Sequence, residues 1–329
     1  MNIAQAADTV DLSIQKMWLK SSDPEPLFKK YFNYRKTEDL YEKDSSITGL
    51  GVADFTAENA VIVSDVPVQG YKKTYTQNQV GLITSYTAMM WKFGIKKRDL
   101  QNIVDELRTS IARMREQLCA ERLDNATATT YTHTGPSGNT SISLTGGDGL
   151  QWLTSAHTRE DGGTNMNNGV YDGTTYNLPF DYAGLKAAHR TASLFVDGRG
   201  NPRPANLDTL VCKLGSAVHM KAKEIKRAIA NNKIPESADN DGAGVEDFTI
   251  LALPYLQNGS QWYMMDSSRA LTDKEGFQFV EAQPTTLAPQ NIVFKTDEIQ
   301  YKATAIFDLG LNDVARCWVG SLGTSAVLS

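Results

Sequence analysis

The sequence contains no run of ~18 consecutive apolar residues, the length that a membrane-crossing helix needs. Its amino terminus has Asp8 and Asp11 but neither a basic start nor an apolar block, so it does not read as a signal peptide. Membrane spanning and export are both disfavoured. Cysteine is scarce: Cys119, Cys212 and Cys317 are odd in number, far apart and without a C-x-x-C pair. That pattern suggests neither a disulfide framework nor a zinc knuckle, and it suits a reducing compartment. Basic charge is not in excess. With 33 Lys and Arg against 38 Asp and Glu, the formal charge is -5, and a strong nonspecific grip on nucleic acid is not expected. The 4 histidines show no metal-ligand spacing and no H-E-x-x-H motif, so neither a metal nor a cofactor is expected. Glycine (25) and proline (11) are too few for a collagen-like or low-complexity chain.

What is present is a 329-residue chain, 41% hydrophobic, with room for a sizeable core and about two domains at ~100 to 200 residues each. Val10, Ile14 and Met17 or Trp18 recur at helical spacing before Pro24 and Pro26, which predicts a short amphipathic helix on a mobile arm. The next ~20 residues, with Tyr31, Tyr34 and Tyr41 among charges, show no period, as expected of a segment lying over another surface or, equally, of a poorly packed terminus. Then β-formers gather. Val61, Ile62, Val63, Val66 and Val68 lead to Gln69-Gly70 and to Tyr71, Lys73 and Tyr75 on alternate positions, which predicts an extended hairpin turning at Gln69-Gly70. Such a polar hairpin is not stable alone and should lie against something else, for which a neighbouring subunit would serve.

From Lys96 to Asn125 the residues Leu100, Ile103, Leu107, Ile111, Met114 and Leu118 recur every three or four positions. They predict one helix ~45 Å long with a narrow apolar stripe. Ala126 to Thr145 reads as loop. Further helices are predicted after a cap at Asp181, with Leu185, Ala188, Ala192 and Phe195 inward, and over Ser216 to Asn231. Strands are expected at 209–213, 249–253, 261–265, 277–281, 292–295 and 299–307.

Chemistry does not announce itself. His157 precedes Asp161 by four residues, as a base and its orienter could, but no nucleophile elbow accompanies them. Thr145-Gly146-Gly147-Asp148-Gly149 lacks the Lys and Ser or Thr of a phosphate loop. Asp161, Asn165, Asn167 and Asp172 lack the order of a calcium loop. The basic runs at Lys96-Lys97-Arg98 and from Lys221 to Arg227 fall on helices near acidic residues, as solvated faces do.

The order of parts is an arm, a polar hairpin, a lone long helix, then a mixed region with returning strands. Gly147-Asp148-Gly149-Leu150-Gln151-Trp152-Leu153, with Ala156-His157, Gly162-Gly163 and Asn165, is similar to a segment of Mu-type head subunits. Gly198-Arg199-Gly200-Asn201-Pro202 running into Leu210-Val211-Cys212, and Trp262-Tyr263-Met264-Met265-Asp266 with Tyr301, Asp308 and Gly310, extend the likeness. From about Gly49 to Trp318 the chain resembles the HK-97-like major capsid proteins of tailed bacteriophages.

That resemblance implies an α+β HK-97-like fold: an arm (1–48), an extended loop with flanking strands (49–95), a spine helix and peripheral domain (96–184), an axial domain (185–284) and returning strands (285–329). It implies a structural protein, not an enzyme, that self-assembles through pentamers and hexamers into an icosahedral head enclosing double-stranded DNA without binding it specifically. Portal protein and scaffold or decoration proteins would be partners, with no membrane, and assembly would take place in the host bacterial cytoplasm. Val66, Val68, Tyr71, Lys72, Lys73, Tyr75 and Trp18 are the expected contacts between subunits. Some members crosslink a Lys to an Asn, but here nothing identifies the Asn partner of Lys72 or Lys73. An encapsulin-type compartment shell is the near alternative. A soluble enzyme using His157 and Asp161, or a tail or adhesion protein, stands further off.

Overall fold

The computed structural model describes residues 14–20, 24–67, 69–87, 89–90, 97–230, 247–272, 276–293, 295–296, 298–312, 314 and 316–324. Residues 14–20 are helical, within the predicted amino-terminal helix, whose earlier part lies outside the described residues. The long periodic segment is helix α1 (Lys97–Asp124). Leu107, Ile111 and Leu118 of the predicted stripe are buried, together with Val104 and Leu123. Arg115 and Arg122 are buried on the same helix, and each meets a carboxylate, Glu281 at 2.6 Å and Asp308 at 3.6 Å.

Helix α1 packs on a five-stranded sheet. The long strand β12 (Glu298–Leu311) takes β4 (Asn78–Thr87) along one edge, and β10 (Phe277–Leu287) followed by β11 (Asn291–Val293) along the other, all antiparallel. Strand β1 (Asn33–Lys36) joins β10 in parallel. Pro284 sits in β10 where the register against β12 shifts between Gln283 and Thr286, a place that tolerates a residue unable to donate to the ladder.

Residues 24–36 are not a loose covering. Phe28, Tyr31 and Phe32 are buried in the core beneath β10, where Phe28 stacks on Phe279 at 4.2 Å and Phe32 lies 5.6 Å from Phe277. The Phe28 N–H donates to Glu116 on α1 at 3.0 Å. A 3-10 turn over Leu27–Lys30 carries this segment, so no helical or strand period marked it in the sequence.

The expected hairpin has different arms. Strand β2 (Tyr41–Ile47) pairs with β3 (Gln69–Thr76), with Tyr41 opposite Thr76 and Ile47 opposite Gln69. Gln69-Gly70 is therefore strand, not turn, and residues 48–67 are the connection. Position 70 has little room for a side chain where β2 bulges opposite it between Ser45 and Ile47: a Cβ there would lie 2.1 Å from the rotatable Ser46 Oγ and 3.2 Å from the Ser46 carbonyl oxygen. A second departure is the antiparallel hairpin of β5 (Thr130–Gly135) and β6 (Gly138–Ser143) within the segment read as loop. Only Tyr131 and His133 of β5 turn inward, and the Thr and Ser between them masked the alternation.

A second core lies under the four-stranded sheet β13-β9-β7-β8, formed by β7 (Thr209–Lys213), β8 (Thr249–Leu253), β9 (Trp262–Met265) and β13 (Trp318–Ser321). Helices α2 (Tyr182–Ser193) and α3 (Ala217–Ala230) pack into it as predicted, with Leu185, Ala188 and Ala192 fully buried. Asp181 caps α2 by accepting the Gly184 N–H at 2.7 Å. The parallel pair β7 and β8 is connected through α3, as parallel strands require. The expected division at residue 284 falls inside β10, which belongs to the first sheet, while β13 returns to the second.

Candidate functional site

The β2–β3 hairpin is rooted in buried charge. Arg35 of β1 pairs with Glu42 and Asp44 of β2, both at 2.8 Å, and its guanidinium lies 5.1 Å from the Tyr75 ring centroid. On β3, the Thr76 N–H donates to Asp308 at 3.0 Å and Lys73 Nζ donates to the Thr145 carbonyl at 2.6 Å. Burial raises the pKa of Asp308 against the pull of Arg122, and it lowers that of Lys73 against the pull of Asp308. Removing one member of such a set leaves an uncompensated buried charge, so the root holds the hairpin to its own subunit.

Beyond the root, residues 48–67 have no strand partner among the described residues. Phe55 is fully exposed, and Val61, Ile62 and Val63 are 94%, 76% and 80% exposed. An exposed contiguous apolar run of this kind is a candidate interaction surface. The loop is clasped at its base only. Arg199 Nη1 meets Asp65 at 3.1 Å, Arg199 Nη2 donates to the Val66 carbonyl at 2.5 Å, and Asn201 Nδ2 donates to the Leu50 carbonyl at 3.3 Å. The Gly51 N–H, donating at 2.6 Å, is the largest influence holding the Asp65 carboxyl below its ordinary pKa, helped by the Val66 N–H and Arg199.

The predicted contact residues separate accordingly. Val66 and Lys72 face solvent. Tyr71 and Lys73 are half-buried and bond to their own subunit, Tyr71 through its hydroxyl to the Thr158 carbonyl at 2.9 Å. Tyr75, with no exposed surface, and Trp18, stacked 4.2 Å from the Arg108 guanidinium, are core residues of the subunit itself. Val68 lies outside the described residues. Phe55 was missed because a lone aromatic among Asp54, Thr56 and Glu58 carries no period, whereas Val61 to Val63 did stand out as β-formers.

His157 and Asp161 do not meet. His157 Nδ1 bonds Asp148 at 2.7 Å with both side chains fully buried, while Asp161 accepts the Gly163 N–H and pairs with Arg159. A couple sealed from solvent has no access to substrate. Asp172 is taken up by the Thr174 and Thr175 N–H groups of its own turn, both at 2.7 Å. Among the described residues no cluster of three or more His, Cys, Asp or Glu is placed to hold a metal, and no helix is long and apolar enough to cross a membrane. All three cysteines are buried, and burial pushes the Cys212 thiol up to about 12.

The hairpin is thus well rooted in its own subunit and carries an exposed apolar loop. Residues 70–319 match the model of the phage capsid protein family. The chain belongs to that family. Solved phage chains share its fold: one from the capsid of Ralstonia phage GP4 is 11% identical over 92% of each chain with a TM-score of 0.56. A chain from the capsid of the cyanophage P-SCSP1u is 11% identical over 94% of this chain and 90% of that one, with a TM-score of 0.53. One from Microbacterium phage Oxtober96 is 9% identical over 92% and 91%, with a TM-score of 0.51. No curated protein matches the sequence. The fold is HK-97-like, and the chain is a major capsid protein, a structural component whose copies form the shell of the virion head.

Proposed function

We infer that this capsid protein assembles as pentamers and hexamers that close into an icosahedral head around double-stranded DNA, within the cytoplasm of a bacterial host. The module of α2, α3 and the β13-β9-β7-β8 sheet serves as the axial domain, and α1 with the five-stranded sheet as spine and peripheral domain. Loop 48–67 reaches onto an adjacent copy. The observation that carries this reading is the exposure of Val61, Ile62 and Val63, a run with no partner in its own subunit among the described residues. Contacts of this kind can each be weak, because a subunit in a shell engages several neighbours at once.

A net charge of -5 suits a wall that encloses DNA without gripping it. Portal protein, and scaffold or decoration proteins, are the further partners that such a head requires. Negative-stain microscopy of the purified chain tests the reading. Rings or closed shells are expected; monomers alone at high concentration, with any scaffold supplied, would overturn it.

A further inference from the structure

Asparagine followed by glycine occurs twice in the chain, at Asn168-Gly169 and at Asn258-Gly259. Such a pair can react with itself. The glycine nitrogen attacks the asparagine side-chain carbon, both already held in one chain, and a small imide ring closes; glycine, without a Cβ, leaves the approach open. The structure places the two pairs in opposite surroundings. Asn168 is buried, its Oδ1 accepting the Thr154 N–H at 3.0 Å and its Nδ2 donating to the Trp152 carbonyl at 2.8 Å. The Gly169 N–H is engaged as well, donating to Asn167 at 2.8 Å. Electrophile, leaving group and nucleophile are all tied down and shut away from water.

Asn258 is exposed, in the connection between β8 and β9. Neither its Nδ2 nor the Gly259 N–H makes a hydrogen bond among the described residues. Its Oδ1, by contrast, accepts from the Ser260 N–H at 3.1 Å and from the Ser260 hydroxyl at 2.9 Å. Two donors already aimed at the oxygen that gains charge when the carbon is attacked favour that attack. The pair also sits against the end of α1. Asp124 accepts the Gln257 N–H at 2.8 Å and the Asn258 N–H at 3.1 Å, and the Ser260 hydroxyl reaches the Leu322 carbonyl at 3.0 Å. Burial already raises the pKa of Asp124, so a second negative charge beside it is unfavourable.

We propose that Asn258 is a site of spontaneous deamidation, that Asn168 is not, and that the change weakens the contact between α1 and the connection from β8 to β9. The Gly259 nitrogen gives its proton to solvent base and forms a bond to Asn258 Cγ. The Cγ–Nδ2 bond breaks, and the amide nitrogen takes up a proton and leaves as ammonia. Water then opens the imide at one carbonyl or the other, leaving aspartate or isoaspartate at position 258; no oxidant or cofactor is consumed. Either product sets a carboxylate near that of Asp124, and isoaspartate also lengthens the main chain between Asp124 and Leu322.

Mass spectrometry of the full chain, aged in mildly alkaline buffer and fragmented to locate each change, tests this. Position 258 is expected to gain with time the mass difference between an amide and an acid, while position 168 keeps its mass. No gain at 258, or an equal gain at 168, would overturn the proposal. Gly259→Ala checks the ring-closing step: a Cβ there meets only Ser216 Cβ at 3.7 Å, an ordinary contact, so the variant folds while its methyl hinders the attacking nitrogen. Loss of the gain at 258 over the same interval is expected, and an undiminished gain would overturn closure through Gly259. Asn258→Asp stands for one product. It should melt below the unsubstituted chain, and an equal or higher Tm would overturn the weakening at Asp124.

Discussion

Replacing Val61, Ile62 and Val63 together by serine separates assembly from folding. Each side chain is largely in water in the lone subunit, so each change alters subunit stability by no more than about 0.5 kcal/mol. Full burial against a neighbour is worth about 1.5 to 3 kcal/mol per side chain, giving roughly 5 to 9 kcal/mol per loop as an upper bound. Even a third of that, at about 1.4 kcal/mol per factor of ten, raises the concentration needed for assembly by ten-fold or more. Circular dichroism melting and a light-scattering concentration series are run on the same preparation. An unchanged Tm with assembly lost or displaced to higher concentration is expected. A Tm lowered by more than about 5 °C would place the run in the subunit's own core, and assembly at the original concentration would show that the loop contributes nothing to the lattice. A deletion across Val66 to Tyr75 is no substitute, because it removes β3 and the buried Tyr75 and is expected to unfold the subunit.

Arg115→Met strands Glu281, which is buried against Tyr34, and should destabilise by about 3 to 5 kcal/mol. Adding Glu281→Gln should recover part of the loss in thermal unfolding, and a double variant no better than the single one would contradict the pairing. Leu107→Asp sets an unpaired charge in the α1 interface at a cost on the order of several kcal/mol, so no soluble folded protein is expected; a soluble variant with an unchanged Tm would mean that Leu107 is not in the core. The Asp65 clasp has a defined pH sense. A carboxyl held below its ordinary pKa stabilises the clasp above that value, about 3.9, and the contribution is lost as pH falls through the lower folded value. A spin label at Phe55→Cys should gain mobility as pH falls through that lower folded value, and Asp65→Asn should show the same mobility at neutral pH; mobility unchanged in both would show that the clasp does not hold the loop.

The elements legible in the sequence are those whose buried face repeats locally. Leu107, Ile111 and Leu118 announce α1, and Leu185, Ala188 and Ala192 with the Asp181 cap announce α2, because packing and capping are decided within a few turns. Pairing across distance is not written that way. Strand β2 finds β3 across the loop 48–67, and Gly70, which sequence chemistry reads as a turn, instead makes room for the bulge at Ser46. Arg115 and Arg122 on α1 look solvent-facing until Glu281 and Asp308 arrive from the far end of the chain to neutralise them. The proposed contact site was half legible for the same reason. Val61 to Val63 stand out as β-formers, but only the structure shows that Tyr75 and Trp18 are spent on the subunit's own core and that the valines are left over.

Electron cryomicroscopy of particles assembled from the purified chain decides whether the exposed loop joins one copy to the next. A closed shell with density for residues 48–67 lying on an adjacent copy is the expected result. A shell in which that loop folds back onto its own subunit, with the apolar run touching no neighbour, would contradict it.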